Sequence, residues 1–187
     1  MVLLLVCVLM SSVAVVREKE TGSMEVLLVS PMRPLVIMIS KALPYLVLGN
    51  VIMAVILLLS VYLLHVPMNG SPWLLLAETN VFIVVCLAIG LVISTQTSSQ
   101  QTAMMVSMMA MMLPAILLSG FMFPIENLPV PLQWMSLLLP ARWYFVVVKT
   151  VMIKGLGFSA IMKETVILAG MAVVFITLSV TRFKERL

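Results

Sequence analysis

Long apolar runs, separated by short polar stretches, dominate this chain. Five of them predict membrane-spanning helices, at residues 1–16, 43–66, 73–94, 103–122 and 165–180. Crossing a bilayer takes about 20 mainly apolar residues, so the first run is slightly short. Either the chain is the later part of a longer protein or the natural chain is shortened. Prolines break residues 124–163 into pieces too short to cross. The pattern predicts an all-α, polytopic helical membrane protein with about five transmembrane helices.

The composition also indicates a membrane protein. Hydrophobic residues make up 63% of the 187 residues, whereas soluble domains contain about 45–50%. The net charge of +4 resides in loops and at the C-terminus, which indicates membrane topology and predicts no nucleic-acid partner. Cys7 and Cys86 both lie in apolar runs, where ordinary packing accounts for them.

The sequence lacks the common catalytic and cofactor-binding motifs. It has no Gly-rich phosphate loop, no aspartate and a single histidine, His65. A nucleotide site, a Ser-His-Asp triad and a metal-ligand cluster are therefore not expected. We predict that the chain is not an enzyme and binds no cofactor itself.

Charge is concentrated between the first two apolar runs. Arg17, Glu18 and Glu20 close the first run and mark a membrane boundary, because charged side chains are costly in hydrocarbon. The loop at residues 66–73 contains neither lysine nor arginine. The positive-inside rule therefore places residues 17–41 in the cytoplasm and the 66–73 loop outside.

A short helix is predicted inside this cytoplasmic loop. Gly22 lies in the preceding turn, Glu25 falls in the first helical turn, where the helix dipole favours negative charge, and Leu28 belongs to an apolar side. Pro31 ends the helix after about two turns, and Lys41 ends the loop. Such a helix either floats in the headgroup region or is gripped by a cytosolic partner, and the pattern leaves both interpretations open.

The position of the C-terminus decides the path of residues 124–163. If they crossed the membrane, the basic residues after the last run would lie outside, against the positive-inside rule. We therefore predict that the segment enters from outside and returns, although this leaves Arg142 and three lysines outside, against the same rule. Re-entrant backbone must be buried in protein or line a wet cavity, so the segment is a candidate outer gate.

Two apolar runs carry side chains suited to a transport pathway. Glu78 is an acidic residue within an apolar run and is a functional candidate on that ground, although it lies close enough to the outer interface to reach the headgroups. The fourth run places small Ala103, Ser107 and Ala110 on one face and methionines, Met108 among them, on the remainder. Flexible methionines are typical of adaptable binding surfaces and also of ordinary packing and lipid contact.

Small residues and a proline are expected to shape two of the spans. Gly90 and Ser94, four residues apart, predict a small face for close helix contact on the third span. Pro114 is expected to kink the fourth span, with its freed carbonyl satisfied by neighbours.

Three stretches together resemble the permeases of ABC-2 type transporters, in their drug-exporter-like branch. The first is similar to that family's cytoplasmic loop, the second to its kinked helix and outer turn, and the third to its re-entrant stretch. They are, in this order, REKETGSMEVLLVSPMRPLVIMISKALPY, LPAILLSGFMFPIENLP and LPARWYFVVVKTVMIKG. Their order and spacing match the family over nearly the whole chain.

The resemblance implies a membrane subunit that pairs with a second permease subunit and with cytosolic ABC ATPases, which use the ATP. It assigns the ATPase coupling to Arg17, Glu18, Glu20, Gly22, Glu25, Leu28, Pro31 and Lys41. Candidates for the pathway or outer gate are Glu78, Met108, Pro114, Gly120, Pro124, Glu126, Pro129, Pro140 and Arg142. The polar Gln100 and Gln101 are expected to be exposed and to matter little.

Residues 1–187 are expected to form one permease transmembrane domain in the bacterial inner membrane, without the family's first span or any extracytoplasmic domain. Such a domain would export an amphipathic or drug-like solute. One alternative is a non-transporting or truncated interaction or regulatory protein that pairs with a full permease. Another is a secondary transporter using Glu78, which is disfavoured because one acidic group forms no relay and the spans show no repeated halves.

Overall fold

The computed structural model describes residues 1–21, 34–122 and 124–185. Seven α-helices follow one another in these ranges: α1 (Val2–Glu20), α2 (Pro34–Leu58), α3 (Pro72–Gln96), α4 (Gln100–Leu118), α5 (Val130–Leu137), α6 (Pro140–Val148) and α7 (Phe158–Glu185). A π-helical turn extends α2 at Leu59–Leu63 and α6 at Lys149–Ile153, and a 3₁₀ turn, Ile125–Asn127, precedes α5. No strand occurs in these ranges, which confirms the predicted all-α class.

Four stretches of the described helices are long and apolar enough to cross a membrane, namely Ser40–Leu63, Pro72–Gln96, Gln100–Leu118 and Phe158–Arg182. They correspond to four of the predicted spans. The first predicted span, residues 1–16, is the apolar part of α1, which ends in four consecutive charged residues. α5 and the extended α6 form a further apolar pair, bent by 80° at the break between them.

Three helix boundaries differ from those predicted. α2 begins at Pro34, so Pro44 lies inside the helix and not near its start. α4 ends at Leu118, because Gly120 then adopts a positive φ of 81°, which turns the chain out of the helix. α7 begins at Phe158 and is longer than the apolar run at its centre.

α3 is the central helix of the bundle, and α1 packs closely along it. At Gly90 of α3, an added Cβ would lie 2.6 Å from the backbone oxygen of Val8. The hydroxyl of Ser11 donates to the Leu87 carbonyl over 3.0 Å at the same crossing. This confirms the close helix contact predicted at Gly90, since small residues let membrane helices approach. The surrounding core includes Leu4, Val8, Leu75, Ile83, Val85, Cys86, Val147, Val151, Ile161 and Leu168.

The small face of α4 packs on α1. Ala103 and Ser107 are fully buried, and the Ser107 hydroxyl lies 2.9 Å from that of Ser12 on α1. Ala110, which was predicted to share this face, is exposed, because the buried side of α4 drifts towards Ala115 and away from residue 110. Most methionines of α4 are exposed in this chain.

Contacts define two ends of the bundle. At one end, called the charged end, Val15 of α1, Leu91 of α3 and Val180 of α7 pack together near the charged residues 17–20. At the other, the Asn69 end, the backbone and side-chain amides of Asn69 donate to two carbonyls at the end of the extended α6, over 3.1 and 3.0 Å. α1, α3 and α7 therefore run towards the charged end, and α2 and α4 run away from it.

The segment between α4 and α7 begins and ends at the Asn69 end. α4 leaves the charged end and finishes at the opposite one, and α7 starts just after Gly155, which packs against Asn69. Between these points, the ring of Tyr144 on α6 stacks on Phe82, near the middle of α3. The segment thus enters the bundle and returns, as predicted, and its turning point is the 80° bend between α5 and α6.

Candidate functional site

The charged end contains the candidate coupling site. Glu18 of α1 forms an ion pair with Lys41 of α2, which joins the two helices that flank residues 22–33. The ammonium group of Lys19 donates to the backbone oxygen of Ser94 in the last turn of α3. A cation suits this position, because carbonyl groups at a helix C-terminus lack helical partners and carry partial negative charge.

Glu20 makes the corresponding contact with α4. Its carboxylate accepts the backbone N–H of Gln100 over 2.9 Å and also the side-chain amide of Gln100. Gln100 is the first residue of α4, so the carboxylate satisfies an N–H group that a helix start leaves open. Both bonds lower the pKa of Glu20, and the bond from the Gln100 side chain has the larger effect. The contact is therefore formed above the ordinary pKa of glutamate and is lost as the pH falls through the lowered value.

The structure brings part of the predicted coupling set together. Glu18, Glu20 and Lys41 make contacts at the charged end, and Arg17 is exposed in the same last turn of α1. Four other members lie outside the described residues, namely Gly22, Glu25, Leu28 and Pro31.

Sequence reasoning missed two contacts at this end. Gln100 was predicted to be exposed but is half-buried and hydrogen-bonded to Glu20, whereas Gln101 is exposed as predicted. Gln100 is uncharged and lies 80 residues from Glu20, so no local pattern pointed to the pairing. Lys19 was visible in the charged run, but its acceptor is a backbone carbonyl, which has no signature in a sequence.

Three successive residues of α3 reach three different helices, and we call these contacts the polar band. They are Glu78 with Thr165 of α7, Thr79 with Tyr144 of α6, and Asn80 with Asn50 of α2, each over 2.8 Å. A hydrogen bond between membrane helices contributes about 0.6 kcal/mol on average. The band therefore sets the relative positions of four helices more than it stabilises the fold.

Glu78 was expected to reach the headgroups, but its side chain is buried inside the bundle. Its side chain is 3% exposed, and its Oε2 has no hydrogen-bond partner within the described ranges. α7 begins at Phe158 and runs parallel to α3, so Thr165 covers the side of α3 on which Glu78 lies. Distance along a helix gives the depth of a residue but not the neighbour that covers it.

Arg142 holds the turning point of the re-entrant segment. Its Nη1 donates to the Gln133 carbonyl over 3.3 Å and to the Ser136 hydroxyl, both on α5. The guanidinium carbon lies 5.4 Å from the centre of the Trp143 ring. Because Arg142 is in the first turn of α6, these contacts fix the bend between the two helices.

The other gate candidates lie mainly on the connection from α4 to α6. Pro114 lines an apolar crevice of about 400 Å³ between α4 and α5, together with Leu113, Leu117, Leu118, Leu128, Leu132 and Met135. The remaining candidates lie beyond it, at the turn after α4 (Gly120), on the way to α5 (Pro124, Glu126, Pro129) and at the start of α6 (Pro140). Met108 is exposed on α4, and neither it nor Glu78 lines the crevice.

Replacing Glu78 with glutamine is expected to change the free energy of unfolding by less than about 1 kcal/mol, because glutamine keeps the shape and an oxygen that accepts the Thr165 hydroxyl. Glu78→Ala should lower it further, since this change removes the acceptor and leaves a cavity. Thermal unfolding of the purified protein in detergent compares the two variants. Equal losses in both would mean that the charge of Glu78, and not its hydrogen bond, holds α3 against α7.

Comparison with known proteins covers nearly the full sequence. Residues 1–181 match the family model described as ABC-2 family transporter protein. The chain belongs to this family. It is 32% identical over 179 residues to the probable multidrug ABC transporter permease YbhS of Escherichia coli K12, and 32% identical over 146 residues to YbhR of the same strain, which carries the same description. It is 26% identical over 182 residues to the E. coli K12 inner membrane transport permease YhhJ.

These matches cover most of the chain but only part of each relative. The match to YbhS includes 96% of the chain and 48% of YbhS. The match to YbhR includes 78% of the chain and 39% of YbhR, and the match to YhhJ includes 97% of the chain and 48% of YhhJ. The chain thus spans about half the length of the curated relatives it matches. No solved structure matches it. The family and the apolar helices together make it a multi-pass membrane protein of the ABC-2 permease class.

Proposed function

We propose that this chain is the membrane-spanning permease subunit of an ATP-driven exporter in the bacterial inner membrane. In this proposal it moves an amphipathic or drug-like solute out of the cytoplasm and pairs with a second permease subunit. Separate cytosolic ATPases bind and hydrolyse the ATP. The E. coli relatives are described as multidrug and inner membrane transport permeases, which supports the transport class and the location.

The arrangement around residues 22–33 is the observation that carries the proposal. The helices on the two sides of this segment are joined to each other by the Glu18–Lys41 ion pair. The sequence of the segment predicts a short helix with an apolar side, a shape that a partner protein can grip. Since the chain has no phosphate-binding motif, we propose that the energy of ATP enters through this protein contact.

The orientation follows from charge. The positive-inside rule assigns the charged end, with its basic residues in and beside α1 and α7, to the cytoplasm. The Asn69 end then faces outward, and the re-entrant segment that starts and finishes there becomes the proposed outer gate. In this proposal the ATPases displace residues 22–33 at the cytoplasmic end, and the rigid helices between the two ends transmit that displacement to the outer gate.

Glu25→Ala combined with Leu28→Ala is expected to reduce recovery of the ATPase with the permease by at least about fivefold, because residues that anchor an interface typically contribute about 1 kcal/mol or more each. Membrane insertion should be unchanged. The measurement is co-purification of the two proteins from detergent, with insertion scored in parallel. Ser98→Ala with Gln101→Ala is the matched control, since both residues are exposed near the charged end.

Export is measured as the loss of an amphipathic fluorescent dye from cells that express both proteins. If the Glu25/Leu28 variant kept both full co-purification and full export, the segment would be only an interfacial helix and the coupling proposal would fail.

A further inference from the structure

The last turn of α1 caps two other helices at once. Lys19 donates to a carbonyl in the last turn of α3, and Glu20 accepts from the first residue of α4. Each charge has the sign that complements the helix end it contacts, because a helix N-terminus is partially positive and a C-terminus partially negative. The two residues thus hold the ends of α3 and α4 on the two sides of the turn at residues 97–99.

We infer that Glu20, through Gln100, is the positioning residue that passes movement of residues 22–33 to α4. This inference rests on the proposed function, in which an ATPase displaces that segment. It adds a specific route, from the end of α1 to the start of α4, which the coupling proposal does not contain.

The connection from residues 22–33 to α4 is short and hydrogen-bonded at each step. Only Thr21 separates Glu20 from the segment, and the Thr21 backbone N–H and hydroxyl both donate to the Arg17 carbonyl, over 3.0 and 3.1 Å. On the receiving side, the Ser99 hydroxyl accepts the backbone N–H of Thr102 over 3.2 Å, so the start of α4 is itself capped. A displacement of the α1 terminus therefore reaches the first turn of α4 through short, directional bonds.

α4 leads from this contact to the proposed gate. It runs from the charged end to the Asn69 end, and its second half forms one wall of the apolar crevice against α5. A shift of its first turn is carried along the helix, because an α-helix is hydrogen-bonded from turn to turn. The same movement would change the crevice and the start of the re-entrant segment.

The test measures movement at the far end of α4 when the ATPase acts. Met122 is 61% exposed just beyond α4, so an environment-sensitive fluorophore is attached at Met122→Cys in the full chain, co-purified with its ATPase. The native thiols of Cys7 and Cys86 are buried and contribute little labelling. The probe is ATP with orthovanadate, which needs no knowledge of the solute. The variants Glu20→Ala, Gln100→Ala and the double variant are compared with Gln101→Ala.

We expect the ATP-dependent signal to be lost in Glu20→Ala and reduced in Gln100→Ala, which keeps the backbone N–H bond to Glu20. The double variant should match Glu20→Ala, because both changes act on one contact. Recovery of the ATPase is scored in every variant, and Gln101→Ala should respond like the parent. A normal signal in the Glu20 and Gln100 variants, with the ATPase bound, overturns the inference and leaves the coupling proposal intact. Failure of the parent protein to retain any ATPase would instead refute the coupling proposal itself.

Discussion

Replacing Gly90 with alanine is expected to lower the free energy of unfolding by about 1–3 kcal/mol, the usual cost of overpacking a tight contact. The new Cβ would lie 2.6 Å from the Val8 backbone oxygen and 2.8 Å from the Cβ of Ser11. Backbone cannot rotate away as a long side chain can, so α1 must shift as a whole. Packing contacts carry most of the association between membrane helices, and this shift weakens them along the α1–α3 crossing.

Gly170→Ala is the matched control for this change. Gly170 also lies inside a helix, α7, but an added Cβ there meets nothing within 4 Å. That variant should be neutral or more stable by up to about 1 kcal/mol, since alanine is the better helix former. Thermal unfolding in detergent and the recovery of monodisperse protein are the measurements. If both alanine variants behaved alike, the approach of α1 to α3 would be looser than the structure shows.

The close approach at Gly90 could be predicted because it has a local signature. A glycine and a serine four residues apart present one small face, and the buried contact with α1 confirms it. The identity of the partner helix could not be predicted. Spacing within α3 says nothing about whether α1, α2 or α7 fills the groove, since that depends on how the helices are ordered around α3.

The path of the re-entrant segment could also be predicted, because charge and proline placement limit the choices. Pro129 and Pro140 lie at the starts of the two short helices, and counting the basic residues decided that the segment returns. Its attachment to α3 was not predicted. A tyrosine in an apolar stretch is usually an interfacial anchor, so Tyr144 gave no sign that it stacks inside the bundle.

The contacts of the charged run at residues 17–20 within the chain could not be predicted from the sequence. The composition of this run predicted a membrane boundary, the family resemblance implied a contact with another protein, and the run forms the last turn of α1. The structure adds that these charges also bind within the chain, to residues 75 and 80 positions away. Such pairings depend on which helix ends meet, and that is decided by the packing of the apolar faces.

Tyr144→Ala is expected to release α6 from α3. The Tyr144 ring stacks on Phe82 with centroids 4.1 Å apart and planes 7° apart, and its hydroxyl lies 2.8 Å from that of Thr79. An aromatic pair contributes about 0.5–1.5 kcal/mol beyond area burial. A hydrogen bond between membrane helices adds about 0.6 kcal/mol. With the cavity left behind, the change should cost about 2 kcal/mol, which raises the population with α6 detached by about 30-fold.

Amide hydrogen exchange, followed by mass spectrometry, measures this population directly, because exchange within a locally opening helix reports its opening free energy. Exchange in residues 140–153 should rise by about 30-fold in Tyr144→Ala but only about threefold in Tyr144→Phe, which keeps the stacked ring and loses about 0.6 kcal/mol of hydrogen bonding. The amides of α3 should be unaffected in both. Equal protection of residues 140–153 in all three proteins would show that Arg142 and the Asn69 contacts hold the segment by themselves. A 30-fold effect confined to the alanine variant would instead show that ring stacking on Phe82, and not the hydroxyl contact with Thr79, holds α6 against α3.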